Sequence, residues 1–470
     1  MTQIKNSILL IFLLTSCQLM EPTRYTGPEP QKSDYAKIEW LYNNWWEIFH
    51  DLHLNALVEQ ALSEHPSLKI AEDRIRIARL QAKEAKSFLF PTLSFNADST
   101  KTIQSKTGIF APPPPPSTVA FPINYTQTEF NLDLEYEFDF FEKNKNLWRS
   151  ALGEAEAVKA EKMIAKLLLS LSVAEVYFKL QTDLIKKDLM VESETVQNGL
   201  LELTLLSIKN GLSTNIIRSV RENSLSVAKN ARLASELEVL VDKHRLSELI
   251  AAPFCIDVEE FYISLDALEA LIHSIYALLL TELPLDLIAY RPDIQALLFR
   301  IRSAGFEIKA AEALFYPNIN LMALTGQQTI HLSKLFNGES LYGMWGPAIH
   351  LPIFTGGLLR ANLGVKKAEY DLLTKEYEET VLIATRQVLD AKAALLTLQD
   401  QLENAKQVTR QILSIYEMTE KKRARHLASN IDLLQVKTDF LNAKDNEITI
   451  LFSSFNAVLN LVRALGGGYR

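Results

Sequence analysis

The stretch Phe130-Asn131-Leu132-Asp133-Leu134-Glu135-Tyr136-Glu137-Phe138-Asp139-Phe140 decides the fold. Every even position is apolar, and every odd one is acidic or asparagine. Successive side chains of a strand point to opposite faces, so the segment predicts a strand with one apolar and one acidic face. A tilted strand needs about 9–11 residues to cross a bilayer. Three weaker segments alternate in the same way. Leu93, Phe95 and Ala97 alternate with Ser94, Asn96 and Asp98; Ile319, Leu321 and Ala323 repeat that phase; Trp345, Ile349, Leu351 and Ile353 alternate around His350. Strands are expected over about 91–100, 128–141, 317–327 and 344–354. On strand evidence alone, a half-buried sheet of ordinary kind gives the same pattern.

Between the strands the chain is short of helix breakers. It has 16 Gly and 17 Pro in 470 residues; no proline lies between Pro122 and Pro253, and none follows Pro352. Long helices are expected over about 145–210 and 358–424. At ~1.5 Å per residue each is about 100 Å long and must pair with other long helices. Val381, Val388, Leu395 and Leu402 repeat every seven residues, and Ala384, Ala391, Leu398 and Ala405 sit three residues after each. This is a coiled-coil seam whose alanines imply close backbone approach.

The chain repeats itself. Pro66 and Pro91 match Pro292 and Pro317, Arg74-Ile75-Arg76 matches Arg300-Ile301-Arg302, and Phe90-Pro91 matches Tyr316-Pro317. Asn215-Ile216 later matches Asn430-Ile431. Two tandem halves follow, 51–280 and 281–470, each reading as helix, strand, loop, strand, long helix, turn, helix.

The apolar content of 48% and two cysteines exclude a collagen, a disulfide scaffold and a disordered chain. A net charge of −8 speaks against nucleic-acid binding. No run of eighteen apolar residues occurs, so no transmembrane helix is expected. Lys5, the apolar run Ile8 to Leu14 and Leu14-Thr15-Ser16-Cys17 read as a secretory signal over 1–16 ending in a bacterial lipobox. Cys17 would then carry lipid, palmitate included, and 17–50 would be a lipid-anchored segment. The other reading is a plain signal peptide that contains a cysteine. Cys255 is left without a partner, and no disulfide is expected.

Four strands cannot close a barrel, and open edges in lipid leave backbone groups unpaired at several kcal/mol each. Several chains must contribute. Three would give twelve strands; two or four are equally compatible with the sequence.

Arg291-Pro292-Asp293-Ile294, Ala310 to Pro317, Gly346-Pro347, Leu351 to Gly357 with Arg360-Ala361, and Ala464 to Gly468 resemble the signature of TolC-like outer-membrane efflux proteins, in particular their lipoprotein branch. The match runs from about Trp45 to the end. The resemblance implies a mainly α fold with a transmembrane β-barrel portion. It implies a homotrimer with a 12-stranded β-barrel in outer-membrane lipid and an α-barrel in the periplasm. Its partners would be a periplasmic adaptor and an inner-membrane pump of the RND type, in a passive multidrug efflux duct gated at the helical tips. A type I secretion channel and a periplasmic coiled-coil adaptor or scaffold are the alternatives.

The tips fall at Gly211 to Thr214 and His426 to Ser429. By the resemblance, Asp432 matches an acidic position of the constriction, while Gln435 and Ile217 stand where further acids are common. Arg218, Arg221, Arg423 and Arg425 make the tips basic, as solvated helix ends or as docking and gate groups. Asp133, Glu135, Glu137 and Asp139 would line the barrel lumen. The five prolines Pro112 to Pro116 form a stiff segment of the loop between the first two strands. The chain carries no His-Glu-x-x-His, no Gly-x-Ser-x-Gly and no phosphate loop. His50 and His53 have no third ligand at motif spacing. No catalytic residue, metal or cofactor is expected.

Overall fold

The computed structural model describes residues 44–105, 124–252, 262–279 and 285–467. Cys17, Cys255 and Pro112 to Pro116 lie outside them. A 3-10 turn over Trp45–Phe49 leads into α1 (Leu52–Glu64), α2 (Pro66–Ser87), β1 (Thr92–Ile103) and β2 (Asn124–Phe138). Then come α3 (Lys143–Lys209), α4 (Asn215–Leu249), α5 (Leu265–Leu279), a 3-10 turn (Leu285–Tyr290) and α6 (Pro292–Ala313). The described chain closes with β3 (Asn318–Thr329), β4 (Leu341–His350), α7 (Leu358–Ala424) and α8 (Asn430–Leu465).

The duplication is visible in element lengths. α2 and α6 each have 22 residues and start on a proline, whose missing N–H costs nothing in a first helical turn. α3 and α7 each have 67 residues, uninterrupted by proline. The second helices, α4 and α8, run alongside them. The seam on α7 is real: Ala384, Val388, Ala391, Leu395, Leu402 and Ala405 are buried, with Val381 and Leu398 packed at its edge. Small residues also bring α3 against α6. A Cβ on Gly153 would stand 3.1 Å from the Ser303 Cβ, and the Ser303 hydroxyl donates to the Ser150 carbonyl at 2.6 Å.

The four strands form one antiparallel sheet in the order β1-β2-β3-β4. Two strands end earlier than their alternation suggests. β2 stops at Phe138 because Asp139 turns to accept hydrogen bonds from the N–H groups of Asn144 (3.0 Å) and Lys145 (2.7 Å), in the first turn of α3. β4 stops at His350, before Pro352 and the left-handed Gly356 and Gly357 that open α7. Leu351 and Ile353 are therefore outside the strand.

By length and composition α8 is apolar enough to cross a bilayer, which the absence of an unbroken apolar run did not anticipate. Its apolar residues are used internally: Leu451, Phe455, Val458, Leu461 and Val462 are buried. Phe455 stacks on Phe178 of α3 with centroids 4.2 Å apart, and Phe49 leans on both rings. Trp45 donates its indole N–H to Ser170 Oγ at 2.9 Å, so the described N-terminal segment is tied to α3. Tyr177 donates to Asp51 at 2.6 Å, and burial pushes its hydroxyl pKa up.

Ionic contacts join α3 to α4, Arg232 with Glu194 among them, and the most buried is a cluster around Lys179. Lys179 Nζ lies 2.7 Å from both Asp183 and Asp242. Asp242 is 3% exposed; burial pushes its carboxyl up to about 6 despite the lysine, and Asp183 adds to the rise. A carboxyl raised in the folded state favours stability at low pH, and that contribution is lost as pH rises through the folded value. The thermal midpoint of the detergent-solubilised protein should fall between pH 3.8 and about 6, and Asp242→Asn should flatten that fall. Lys179→Met leaves two carboxylates without a cation. It should cost about 2 kcal/mol, less than the ~3–5 of a fully buried pair because Lys179 is 34% exposed.

Candidate functional site

Two surfaces carry the expected functional residues: the sheet and the helical tips. Cross-strand partners in the sheet share a face. Asp133 faces Ser94 on β1 and Leu324 on β3; Glu135 faces Thr92 and Met322. This face continues to Met344 and Gly346 on β4. The opposite face carries Leu93, Phe95, Phe130, Leu132, Leu134, Tyr136, Ile319, Leu321, Trp345 and Ile349. Trp345 and Ile349 are 83% and 70% exposed, a surface suited to lipid rather than water.

The four acids expected on one wall divide by position. Asp133 and Glu135 lie within the sheet. Glu137 pairs with Lys143 at 2.5 Å, so its charge is offset. Asp139 lies beyond the strand and holds the first turn of α3.

Sequence reading missed a polar row across all four strands. Asn96, Asn131, Gly326 and Tyr342 stand side by side. Asn96 donates to Asn131 at 3.0 Å, and Asn131 donates to the Tyr342 hydroxyl at 3.3 Å, across β3. Gly326 permits this. A Cβ there would stand 2.1 Å from the Phe130 carbonyl and 2.8 Å from the Asn131 Cβ. Four residues separated by long sequence distances gave no local sign of the row.

The strand ends on the helix side are ringed by exposed large apolar residues. Phe88 and Phe90 precede β1, Phe140 and Phe141 follow β2, Tyr316 precedes β3, and Ile353 and Phe354 follow β4. Phe141 stacks on Tyr316 at 4.6 Å. Aromatic side chains concentrate where a membrane-spanning surface meets water.

At the tips, both long helices end in the same way. Leu212 N–H donates to the Ser207 carbonyl and Gly211 N–H to Ile208; Leu427 and His426 repeat this with Lys422 and Arg423. This is the Schellman arrangement, whose turning residue is left-handed. Gly211 has φ 72°, and His426 has φ 60° at the equivalent position without glycine's freedom. Asp432 closes a capping box. It accepts from the Ser429 N–H (2.9 Å) and hydroxyl (2.8 Å), and these bonds hold its carboxyl below the usual aspartate range. Ile217 occupies the matching position of the first tip and cannot cap; it is 44% exposed. Arg218 pairs with Glu222 at 2.8 Å, and Arg423 reaches Asn430 at 3.4 Å. Arg425 caps α7, Gln435 is exposed, and Arg221 is half-exposed. Lys421, Lys422 and Arg423 fill the last turn of α7, where cations meet the negative end of the helix dipole. Among the described residues no group of His, Cys, Asp and Glu could hold a metal ion.

Two of the stretches resembling an efflux-protein signature meet in space. Arg291 donates to the Ala464 carbonyl (2.8 Å) and Gln387 (2.9 Å), and its other nitrogens bind Asp293. Gly466 leaves room for it, since a Cβ there would lie 2.6 Å from Arg291 Cγ.

A membrane-suited sheet with two open edges, set on paired long helices, defines an outer-membrane channel class of protein. The chain belongs to the outer membrane efflux protein family, whose model matches residues 57–252 and 283–467. It is 26% identical to the multidrug resistance outer membrane protein MdtQ of Escherichia coli O157:H7, over 98% of this chain and 97% of that one. It is 27% identical to the toluene efflux pump outer membrane protein TtgF of Pseudomonas putida, over 98% and 96%. Among solved structures, the outer membrane protein VceC of Vibrio cholerae superposes with a TM-score of 0.74 at 28% identity, over 91% of this chain and 99% of that one.

Gly326→Ala should break the register between β2 and β3, since backbone must move to admit the methyl. The expected result is loss of β-signal in circular dichroism and of folded protein in the outer-membrane fraction. For the second tip, Asp432→Ala should raise amide exchange over the first turn of α8. Asp432→Asn keeps an oxygen acceptor and should raise it less.

Proposed function

We propose that this chain is the outer-membrane duct of a tripartite multidrug efflux system. Three copies would place their sheets edge to edge as a 12-stranded barrel, with the acidic face inward. The long helices would continue the duct into the periplasm and close it at the tips. A periplasmic adaptor and an inner-membrane RND-type pump would dock there and supply the energy. Lipid on Cys17 would anchor each copy. The role is transport, with no catalytic step.

The observation that carries this reading is the sheet: four strands with two free edges, one lipid-compatible face and one face bearing Asp133 and Glu135. Lipid does not accept such charges, so this face must meet water. The exposed aromatic ring at the strand ends supports a membrane boundary. The relatives' names, multidrug and toluene efflux among them, favour small-molecule efflux over protein secretion.

Purified protein in planar bilayers should give discrete conductance, and chemical crosslinking should give a trimer. With Glu137 paired and Asp139 used as a cap, Asp133 and Glu135 are the two of these four acids left to bias permeation towards cations. Asp133→Asn combined with Glu135→Gln should lower the cation-to-anion permeability ratio by roughly two-fold or more, read from reversal potentials in a salt gradient. Glu137→Gln should leave it nearly unchanged. A protein that stays water-soluble without detergent, or prefers anions, would count against the reading.

A further inference from the structure

α5 (Leu265–Leu279) belongs to the connection between the two repeats, between α4 and α6. Its apolar face is buried through Leu268, Ile272, Ile275 and Tyr276. Its other attachment is ionic. Lys406 of α7 is 5% exposed, and its ammonium lies 2.9 Å from Glu269 Oε2 and 3.2 Å from His273 Nε2. A lysine ammonium can only donate, so Nε2 must accept and the imidazole in this contact is neutral, with its proton on Nδ1. His273 itself is exposed to solvent. An accessible imidazole therefore covers a buried cation.

We infer that the Lys406–His273–Glu269 contact is an acid-released latch that holds the inter-repeat helix α5 on the second long helix. A proton on His273 Nε2 removes the acceptor and places a second positive charge against the buried ammonium. Histidine is the side chain whose charge changes within the mildly acidic range, and the periplasm is open to the pH of the surroundings for an outer-membrane protein. Among the described residues Glu447 of α8, 5% exposed, also faces the cluster. Burial raises its pKa and Glu269 raises it further, so Glu447 takes up a proton more readily in the folded protein. That uptake favours the folded state as pH falls, the sense opposite to His273. The two contributions are separable by substitution.

The full-length protein in detergent is compared at about pH 7.5 and about pH 5.5 by hydrogen exchange of peptides covering α5, corrected for intrinsic rates. His273→Gln keeps an oxygen acceptor for Lys406 and cannot take up a proton. At the higher pH the variant should match the wild type. At the lower pH, wild-type α5 should lose roughly tenfold in protection relative to His273→Gln, about the change expected from a 1.4 kcal/mol shift. Glu447→Gln should retain that loss. The latch is overturned if His273→Gln responds to pH as the wild type does, or if the response vanishes only in Glu447→Gln. A failed conductance assay would concern the duct reading and leave this result untouched.

Discussion

The sheet has four strands and needs more. β1 and β4 each present an edge with no neighbouring strand among the described residues, and the face formed by Trp345, Ile349, Leu321 and Leu132 is suited to hydrocarbon. In water an edge strand can be blunted by charge or covered by a loop. In lipid neither remedy works, because each unpaired backbone group costs several kcal/mol. Closure by other copies is the available solution, and it fixes other features. The helices must leave the sheet on one side, so β1 and β3 start and β2 and β4 end there. The exposed aromatic residues cluster at that junction.

The duplicated half explains how one chain supplies a wall of even thickness. α3 and α7 have equal length and end in the same hydrogen-bonded turn, so both hairpins reach a comparable distance from the sheet. The copies differ where side chains fix them in place. Lys179, Asp183 and Asp242 bind α3 to α4, while Ala394, Leu398 and Ala457 occupy the matching positions between α7 and α8. Packing of small and apolar side chains therefore replaces charge in the second pair. That pair is linked to the rest through Lys406 and α5, and through Arg291 and the Ala464 carbonyl.

Much of the architecture was legible because it rests on period and on proline. The strict alternation around Asp133 gave the strand and its two faces, and the proline-free segments gave the long helices within a few residues. Strand ends were less legible. Asp139 continues the alternation as well as Glu137 does, and only the geometry of the following helix makes it a cap. Lys179 and Asp183 lie four residues apart on one helix, and nothing in that spacing points to the third member, Asp242, on another helix. The Asn96–Asn131–Tyr342 row depends on register, and register between β2 and β3 is set across nearly two hundred residues.

Charge at the two ends of the chain's working surfaces follows the same logic of local use before collective use. The resemblance places Asp432 at a constriction, yet its carboxylate is engaged by Ser429 in the box that starts α8. The alternation places Glu137 and Asp139 on a wall, yet one is paired and the other caps the start of a helix. In each case an N–H, hydroxyl or ammonium fixed nearby already engages the carboxylate. Of these four strand acids, Asp133 and Glu135 in mid-strand are the ones left without such a partner. Their strand neighbours, Ser94 with Leu324 and Thr92 with Met322, offer no cation. On the proposed duct reading, a field acting on solutes would come from acids the fold itself does not use, and mid-sheet placement keeps Asp133 and Glu135 away from the helix terminus that engages Asp139.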